Sequence, residues 1–259
     1  ELDLAVKVAK KESSNGDILI EKYMKDAHEF QVTYFFINGE AFLIRTVDSY
    51  CGPEDVHMEK VVACAVSPSR FTESYLKNAH QKVVKMFKNM GFKNGPIFMQ
   101  GFEDHGVFRF FDPGLRFPGV DYEKIYTKIL GIDIMDAMID IALEGHCNKF
   151  VLPEDGVWLE KKRAAVFFPT IAAGKIAKIN GEKEIRKDSA VISYIPRCTV
   201  GEKLEWTYNV NQRMAEIDIV CDNTEQLKQE LASLQEKLKA VDEEGHDMSF
   251  TLFDVDRIC

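Results

Sequence analysis

The chain has 259 residues, 46% of them apolar, which is enough for one large domain or two smaller ones with real cores and marks a globular protein. Its 33 lysines and arginines against 42 acidic residues leave a net charge of -9, which argues against nucleic acid as the main partner. No stretch approaches the apolar length that crosses a bilayer, so no membrane partner is expected, and six cysteines without C-x-x-C spacing indicate neither a zinc site nor a disulfide framework and fit a reducing cytoplasm.

Leu4, Val6 and Ala9 belong to an amphipathic helix that stops near Ser13-Ser14-Asn15-Gly16. Asp17 to Met24 has the composition of a short apolar strand. A second strand runs from His28 to Ile37, turns at Asn38-Gly39 and returns through Ala41 to Arg45, giving an antiparallel meander. From Ser67-Pro-Ser-Arg the period becomes helical, with Tyr75, Ala79, Val83, Met86 and Phe87 spaced for a buried stripe and Gly91 closing it. Ile129 to Leu143 forms a further helix, rich in core residues, that stops at Gly145.

Between these helices lies the most informative stretch, residues 96 to 119. Phe98, Gln100 and Phe102 share one face of a strand, and Val107, Arg109 and Phe111 alternate with Phe108, Phe110 and Asp112 on the next. His105-Gly106 supplies the turn, while Gly101 leaves room for a bulge or a close backbone approach. Arg116, four residues past Asp112, folds back beside it. A hard cation takes carboxylate and amide oxygens, and a guanidinium clamps phosphate or carboxylate in a fork, so the hairpin offers a metal and phosphate site. A satisfied Asp-Arg pair at the end of a core hairpin is the alternative. Glu103 and Asp104, at the hairpin tip, are expected to be solvent-exposed.

Composition shifts near Pro153-Glu-Asp-Gly, beyond which short strands punctuated by glycine follow at 164–168, 175–179, 190–195 and 204–208. Asp222-Asn-Thr caps a helix from Glu225 to Ala240 whose Leu227, Leu231, Leu234 and Leu238 stripe is a packing face.

The order of strand with Glu-Lys-Tyr-Met, Glu-Phe strand, Asn-Gly hairpin, long helix and aromatic hairpin with Asp-Pro-Gly-Leu-Arg resembles the ATP-grasp superfamily, over nearly the whole chain. More narrowly it is similar to the carboxylate-amine ligase branch that contains the carbamoyl-phosphate synthase large subunit, biotin carboxylase and phosphoribosylglycinamide synthetase. The resemblance implies an α+β fold: the C-terminal lobe of an ATP-grasp core over residues 1–155, an antiparallel sheet with flanking helices, and a small β-rich domain over 156–259.

It also implies site residues. Glu21, Lys22, Tyr23 and Met24 match the hinge strand whose backbone meets adenine, and Glu29 matches the group that meets the ribose hydroxyls. Asp112 and Arg116 match the acid and the arginine of the metal hairpin, the arginine acting on the transferred phosphoryl group. Gln100 stands where the family's first acid belongs and Gly114 where its asparagine belongs, so a cluster with one formal charge should hold magnesium, or manganese in its place, less tightly. The implied chemistry is phosphoryl transfer from ATP to a small carboxylate, giving an acyl phosphate that an amine attacks. Cys51, Cys64 and Cys147 have no part in it, and the histidines form no metal spacing. The match starts after the family's substrate domain and phosphate-binding lobe. The implied protein is therefore a ligase fragment, inactive in isolation, or a chain that needs a complementary lobe or a second copy. A degenerate, non-catalytic nucleotide-binding or interaction module is the alternative, and Gln100 discriminates between the two.

Overall fold

Asn38 (φ 52°) and Gly39 (φ 84°) take the left-handed backbone of a two-residue hairpin turn, and His105 (φ 51°) and Gly106 (φ 83°) do the same in the second hairpin. These two turns build the half of the sheet that carries the candidate site. The computed structural model describes residues 2–25, 27–52, 61–120, 122–153, 155–207 and 209–259. Its first part contains α1 (Leu2–Glu12), β1 (His28–Ile37), β2 (Glu40–Cys51), β3 (Val62–Ser67), α2 (Thr72–Tyr75), a π-helical turn (Leu76–His80), α3 (Gln81–Asn89), β4 (Gly95–Asp104), β5 (Val107–Gly114), α4 (Glu123–Leu130) and α5 (Ile134–Glu144). The second part contains β6 (Arg163–Phe167), β7 (Thr170–Ile171), β8 (Gly174–Lys175), β9 (Lys178–Asn180), α6 (Glu182–Ile185), β10 (Val191–Pro196), β11 (Lys203–Leu204), β12 (Ala215–Cys221), α7 (Thr224–Lys237), β13 (Lys239–Val241) and β14 (Ser249–Thr251).

Eight strands form one antiparallel sheet in the order β10-β12-β6-β3-β2-β1-β4-β5. The sheet continues across the composition shift near residue 153, because β6 pairs with β3, β12 with β6 and β10 with β12. Around that shift Glu154 lies outside the described residues.

Alternation decides what each face packs against. Phe30, Val32, Tyr34 and Phe36 of β1, with Ile97 and Met99 of β4, bury themselves against Tyr75 and Phe87. Phe35, Ile37 and Val47 face the other way, onto Tyr122, Ile125, Tyr126 and Ile134. A third cluster joins Ala165, Phe167, Ile217 and Ile219 to the α7 leucines 227, 231 and 234, each fully buried. Such a leucine contributes roughly 1.5–3 kcal/mol of burial free energy. Asn223 caps α7 by accepting from the Gln226 N–H.

Several sequence expectations are corrected. Asp17 to Met24 is irregular coil, with Leu19 and Ile20 exposed, because no described strand supplies the backbone partners that a strand needs. The helix expected over Ile129–Leu143 is two helices. Gly131 (φ 66°) ends α4 with a left-handed residue, and the Asp133 carboxylate starts α5 by accepting from the Asp136 N–H. Only Ile134 and Ala137 of α5 are buried, so it is a surface helix. Met86 is 45% exposed and lies off the buried stripe. The strand expected over 175–179 is divided between β8 and β9, and that over 204–208 reduces to β11, with Tyr208 outside the described residues. Among the described residues α1 buries nothing, and its Leu2, Leu4 and Val8 face outward.

One irregularity positions the site. The β4–β5 register shifts between Gln100 and Gly101, so that Gln100 opposes Asp112 while Gly101 opposes Phe110. Plain alternation would place Asp112 with Phe108 and Phe110, which pack on the helix side. The bulge turns it to the face of Gln100 instead. A Cβ on Gly101 would lie 2.2 Å from the Arg109 carbonyl oxygen, so only glycine admits this approach. Gly101→Ala is expected to lose about 1–3 kcal/mol of stability, measured by urea unfolding.

Under the helix side of the sheet, the Tyr34 hydroxyl bonds both the Tyr75 hydroxyl and Nδ1 of His80, at 2.8 Å each. Burial lowers the His80 pKa below its ordinary value. The unfolded chain then binds more protons than the folded one, so this stability is present at neutral pH and is lost as pH falls through the ordinary histidine value of about 6.5. His80→Gln should lose less stability than the parent between pH 7.5 and 5.5, the two pH values at which urea midpoints are to be compared.

Candidate functional site

Gln31 of β1, Gln100 of β4 and Asp112 of β5 lie in one cross-strand row, because Gln31 opposes Gln100 and Gln100 opposes Asp112. Directly opposed residues point to the same face, so an amide and a carboxylate meet there as neighbours. Arg116 approaches Asp112 with Nη2 at 3.9 Å from Oδ2, stands 5.5 Å from the centre of the Phe98 ring and donates from Nη1 to the Phe117 carbonyl at 3.1 Å. Phe98 is the even-numbered neighbour of Gln100 and is 4% exposed, so it forms an apolar floor under the guanidinium. Asp112 and Arg116 are both about half exposed, at 52% and 56%, and open to a ligand.

Glu29 opposes Phe102, one alternation further along the same face. Its carboxylate accepts from the Cys51 thiol at 3.1 Å. Next to it Gln31 donates to the Ser49 hydroxyl at 2.7 Å, so its amide orientation is fixed by a side-chain partner. Glu21, Lys22 and Tyr23 are exposed and Met24 half-buried, on the irregular segment that leads into β1. The structure thus brings Gln100, Asp112 and Arg116 together, sets Glu29 on the same sheet face, and leaves the 21–24 segment at its border.

At the hairpin tip Glu103 accepts from the Gly106 N–H and Asp104 pairs with Arg109 at 2.8 Å, which ties both half-buried carboxylates to the turn. They are less exposed than expected.

Below the site on the same face sits Arg45, which sequence reasoning did not single out. It is 3% exposed, lies 4.5 Å from the Tyr122 ring centre and donates to the Ser67 hydroxyl at 3.4 Å. Burial lowers its pKa, while Tyr122, Tyr126 and Asp218 act against that shift. Gln31 escaped notice for a similar reason, since its polarity within an aromatic strand carries no motif.

Cys51, Cys64 and Cys147 are buried free thiols, and burial pushes Cys64 up far from nucleophilic range and Cys198 and Cys221 up to about 11. The histidines do not all stand apart from acids: Asp242, Glu244 and His246 place ligand-type atoms within 4.8 Å of one another. That cluster is a turn, in which Asp242 accepts from the Glu244 and His246 N–H groups, and the backbone bond from His246 is the main cause of its lowered pKa.

No protein-family model and no curated protein matches the sequence. Solved structures do match by fold. L-amino acid ligase from Bacillus licheniformis is similar with a TM-score of 0.67 at 17% identity, over 84% of this chain and 52% of that one. Phosphoribosylglycinamide synthetase from Anaerococcus prevotii gives 0.67 at 12%, over 94% of this chain and 61% of that one. The biotin carboxylase domain of Hydrogenobacter thermophilus 2-oxoglutarate carboxylase, solved as a dimer with MgADP, ADP and bicarbonate, gives 0.70 at 16%, over 95% of this chain and 52% of that one. The chain spans between 52% and 61% of the length of these three proteins. In fold, the chain is similar to the matching part of each of these ligase and carboxylase structures.

Proposed function

We propose that the chain is the C-terminal part of an ATP-dependent carboxylate-amine ligase that works through an acyl phosphate. The observation that carries this reading is the Gln100–Asp112–Arg116 group on one sheet face, in a fold shared with ligases of that class. Main-chain groups of Glu21, Lys22, Tyr23 and Met24 would border the adenine, and Glu29 would meet the ribose. A purine needs one donor and one acceptor from main chain between apolar walls, and the exposed Leu19 and Ile20 beside this segment suit such a wall.

The hard oxygens of Asp112 and Gln100, opposed in register, fit magnesium carried by the nucleotide. A single carboxylate leaves most of the charge balance to the phosphates. When bound, the metal neutralises charge on the transferred phosphoryl group; Arg116, unconfined on its outer side, supplies a second positive charge there. Its planar fork matches two phosphoryl oxygens, and Phe98 fixes the height at which it is offered. An amine then displaces phosphate from the acyl phosphate, and no protein nucleophile takes part.

A second reading has one specific support. Gln100 is an amide opposite the lone carboxylate, which suits a domain that senses nucleotide without turning it over. Among the described residues no helix is long and apolar enough to cross a membrane, and we place the protein in the cytoplasm on the ligase reading.

In the protein joined to its upstream lobe, ATP turnover should require magnesium and a small carboxylate, and Asp112→Ala or Arg116→Ala should each lower kcat about 100-fold or more. Unchanged product formation in both variants would sink the assignment. Gln100→Glu should tighten magnesium-dependent ATP binding about tenfold, equal to ~1.4 kcal/mol. The titration of ATP affinity against magnesium reads it directly. If the parent binds ATP without turnover and Gln100→Glu restores turnover, the sensing reading takes over.

A further inference from the structure

At the β10 edge of the sheet a cavity of about 600 Å³ opens between α7, the end of β12 and the turn from α6 into β10, with the last turn of α4 across from them. Asp188, Glu230 and Cys221 line it, together with the apolar Ile129, Ile192 and Val220. From β12 to β4 there are five strand spacings, roughly 24 Å at about 4.8 Å each, so the cavity stands apart from the Gln100–Asp112–Arg116 group. A molecule bound here is out of reach of a phosphoryl group held there.

Two acids in this cavity have no counter-ion. Glu230 lies against the Asp188 carboxylate, and burial first and Asp188 second raise its pKa above the ordinary value. Its Oε1 is buried and accepts no hydrogen bond. Asp188 accepts from the Ala190 N–H at 3.1 Å, which holds it in the turn. Neighbouring cations are engaged with other acids, Lys162 with Asp222 at 2.7 Å and Lys237 with Glu184 at 3.2 Å. Among the described residues neither Asp188 nor Glu230 forms an ion pair, and of the lining cations only Lys128, exposed on the α4 side, is unpaired too. Cys221 is 8% exposed, and its free thiol has no hydrogen-bond partner among the described residues, so the wall encloses a polar atom that the fold does not use.

We propose that this cavity binds a small primary ammonium compound, with the ammonium between Asp188 and Glu230 and the carbon body along Ile192, Val220 and Cys221. An ammonium group carries donors and no acceptor, which is what a buried carboxylate oxygen without a partner and its acidic neighbour lack. Charge-assisted bonds to both acids remove the like-charge repulsion that the fold leaves in place. A divalent cation suits the cavity less. Among the described residues, the one group of three or more acids, thiols or imidazoles whose ligand atoms lie within 4.8 Å of one another is Asp242, Glu244 and His246, so the acids and the thiol of this cavity do not close on a single ion. An anion would meet the two carboxylates. The inference does not depend on the ligase reading, since none of these residues belongs to the candidate nucleotide site.

The test is calorimetric titration of the whole chain with n-butylammonium chloride at neutral pH and constant ionic strength, with tetramethylammonium as a cation of equal charge that has no N–H. Butylammonium should bind at least tenfold more tightly than tetramethylammonium. The substitution E230Q should weaken it at least tenfold, and D112A/R116A should leave it unchanged. Equal binding of the two cations, or none, would overturn the proposal. So would retention of affinity in E230Q, which would locate the amine elsewhere, and so would displacement of butylammonium by equimolar calcium, which would make this a metal site. Should E230Q fail to fold, S233K decides. Ser233 lines the cavity one helical turn past Glu230 and makes no hydrogen bond among the described residues, so a lysine there sets a tethered ammonium beside the acid. It should weaken butylammonium at least threefold, while an unchanged affinity refutes the site.

Discussion

The close approach of Gly101 to the Arg109 carbonyl is the contact on which the candidate site depends. It adds one residue to β5, and that residue reverses the sense of alternation for everything after it. Before the bulge, Phe108 and Phe110 enter the core beneath the helices. After it, Asp112 emerges on the opposite face, level with Gln100 and Gln31. A strand without the bulge would carry Asp112 into the apolar layer, where an unpaired carboxylate is strongly disfavoured. Aromatic packing and a polar site thus share one short hairpin because one glycine lets two backbones touch.

The sheet extends this division across the molecule. On its helix side the row from Phe30 to Phe36 makes a dry layer with Tyr75 and Phe87, and that layer fixes β1 rigidly. On the other side α4 and α5 cover only the lower half, through Tyr122, Tyr126 and Ile134. The uncovered upper half is where Glu29, Gln100 and Asp112 lie. A rigid strand held from behind and bare in front is a suitable platform for binding, since side chains on packed strands are placed more accurately than those on loops.

Much of this was legible in the sequence where local chemistry decides the outcome. Asn38-Gly39 and His105-Gly106 announce their turns, Asn223 its cap, and the α7 leucines their buried face. The identity of Gly101 as a place of close approach was legible too, but its consequence was not. Period-2 counting put Asp112 with Phe110, and only pairing against β4 shows where the count slips. The Ile18 to Met24 segment failed differently. Its composition suits a strand, yet strand formation depends on a partner, which no local pattern specifies. Gly131 and Asp133 carried a stop and a start that the continuous apolar run of Ile129 to Leu143 concealed. Asp188 and Glu230 are 42 positions apart in sequence, 230 less 188, and nothing but the fold brings them to one cavity.

Energetics separates the charged groups that hold the protein together from those that are available for chemistry. Arg45 is buried under Tyr122 with Asp218 among the groups that sustain its charge, and removing one member of such a set typically destabilises by about 3–5 kcal/mol because the other is left without compensation. Its presence is therefore accounted for by the core. Asp112 and Arg116 are half exposed and 3.9 Å apart, a geometry for which an ion pair contributes about 0–1 kcal/mol. Stability gives little reason for an acid and an arginine to occupy those positions. The bulge that delivers the acid imposes a glycine and breaks the ladder, and the pair itself does not offset that. A structural feature that weakens the strand and gains so little from the contact it creates is better accounted for by what a ligand would gain from it, and the half-open guanidinium over Phe98 is the group best placed to provide that gain.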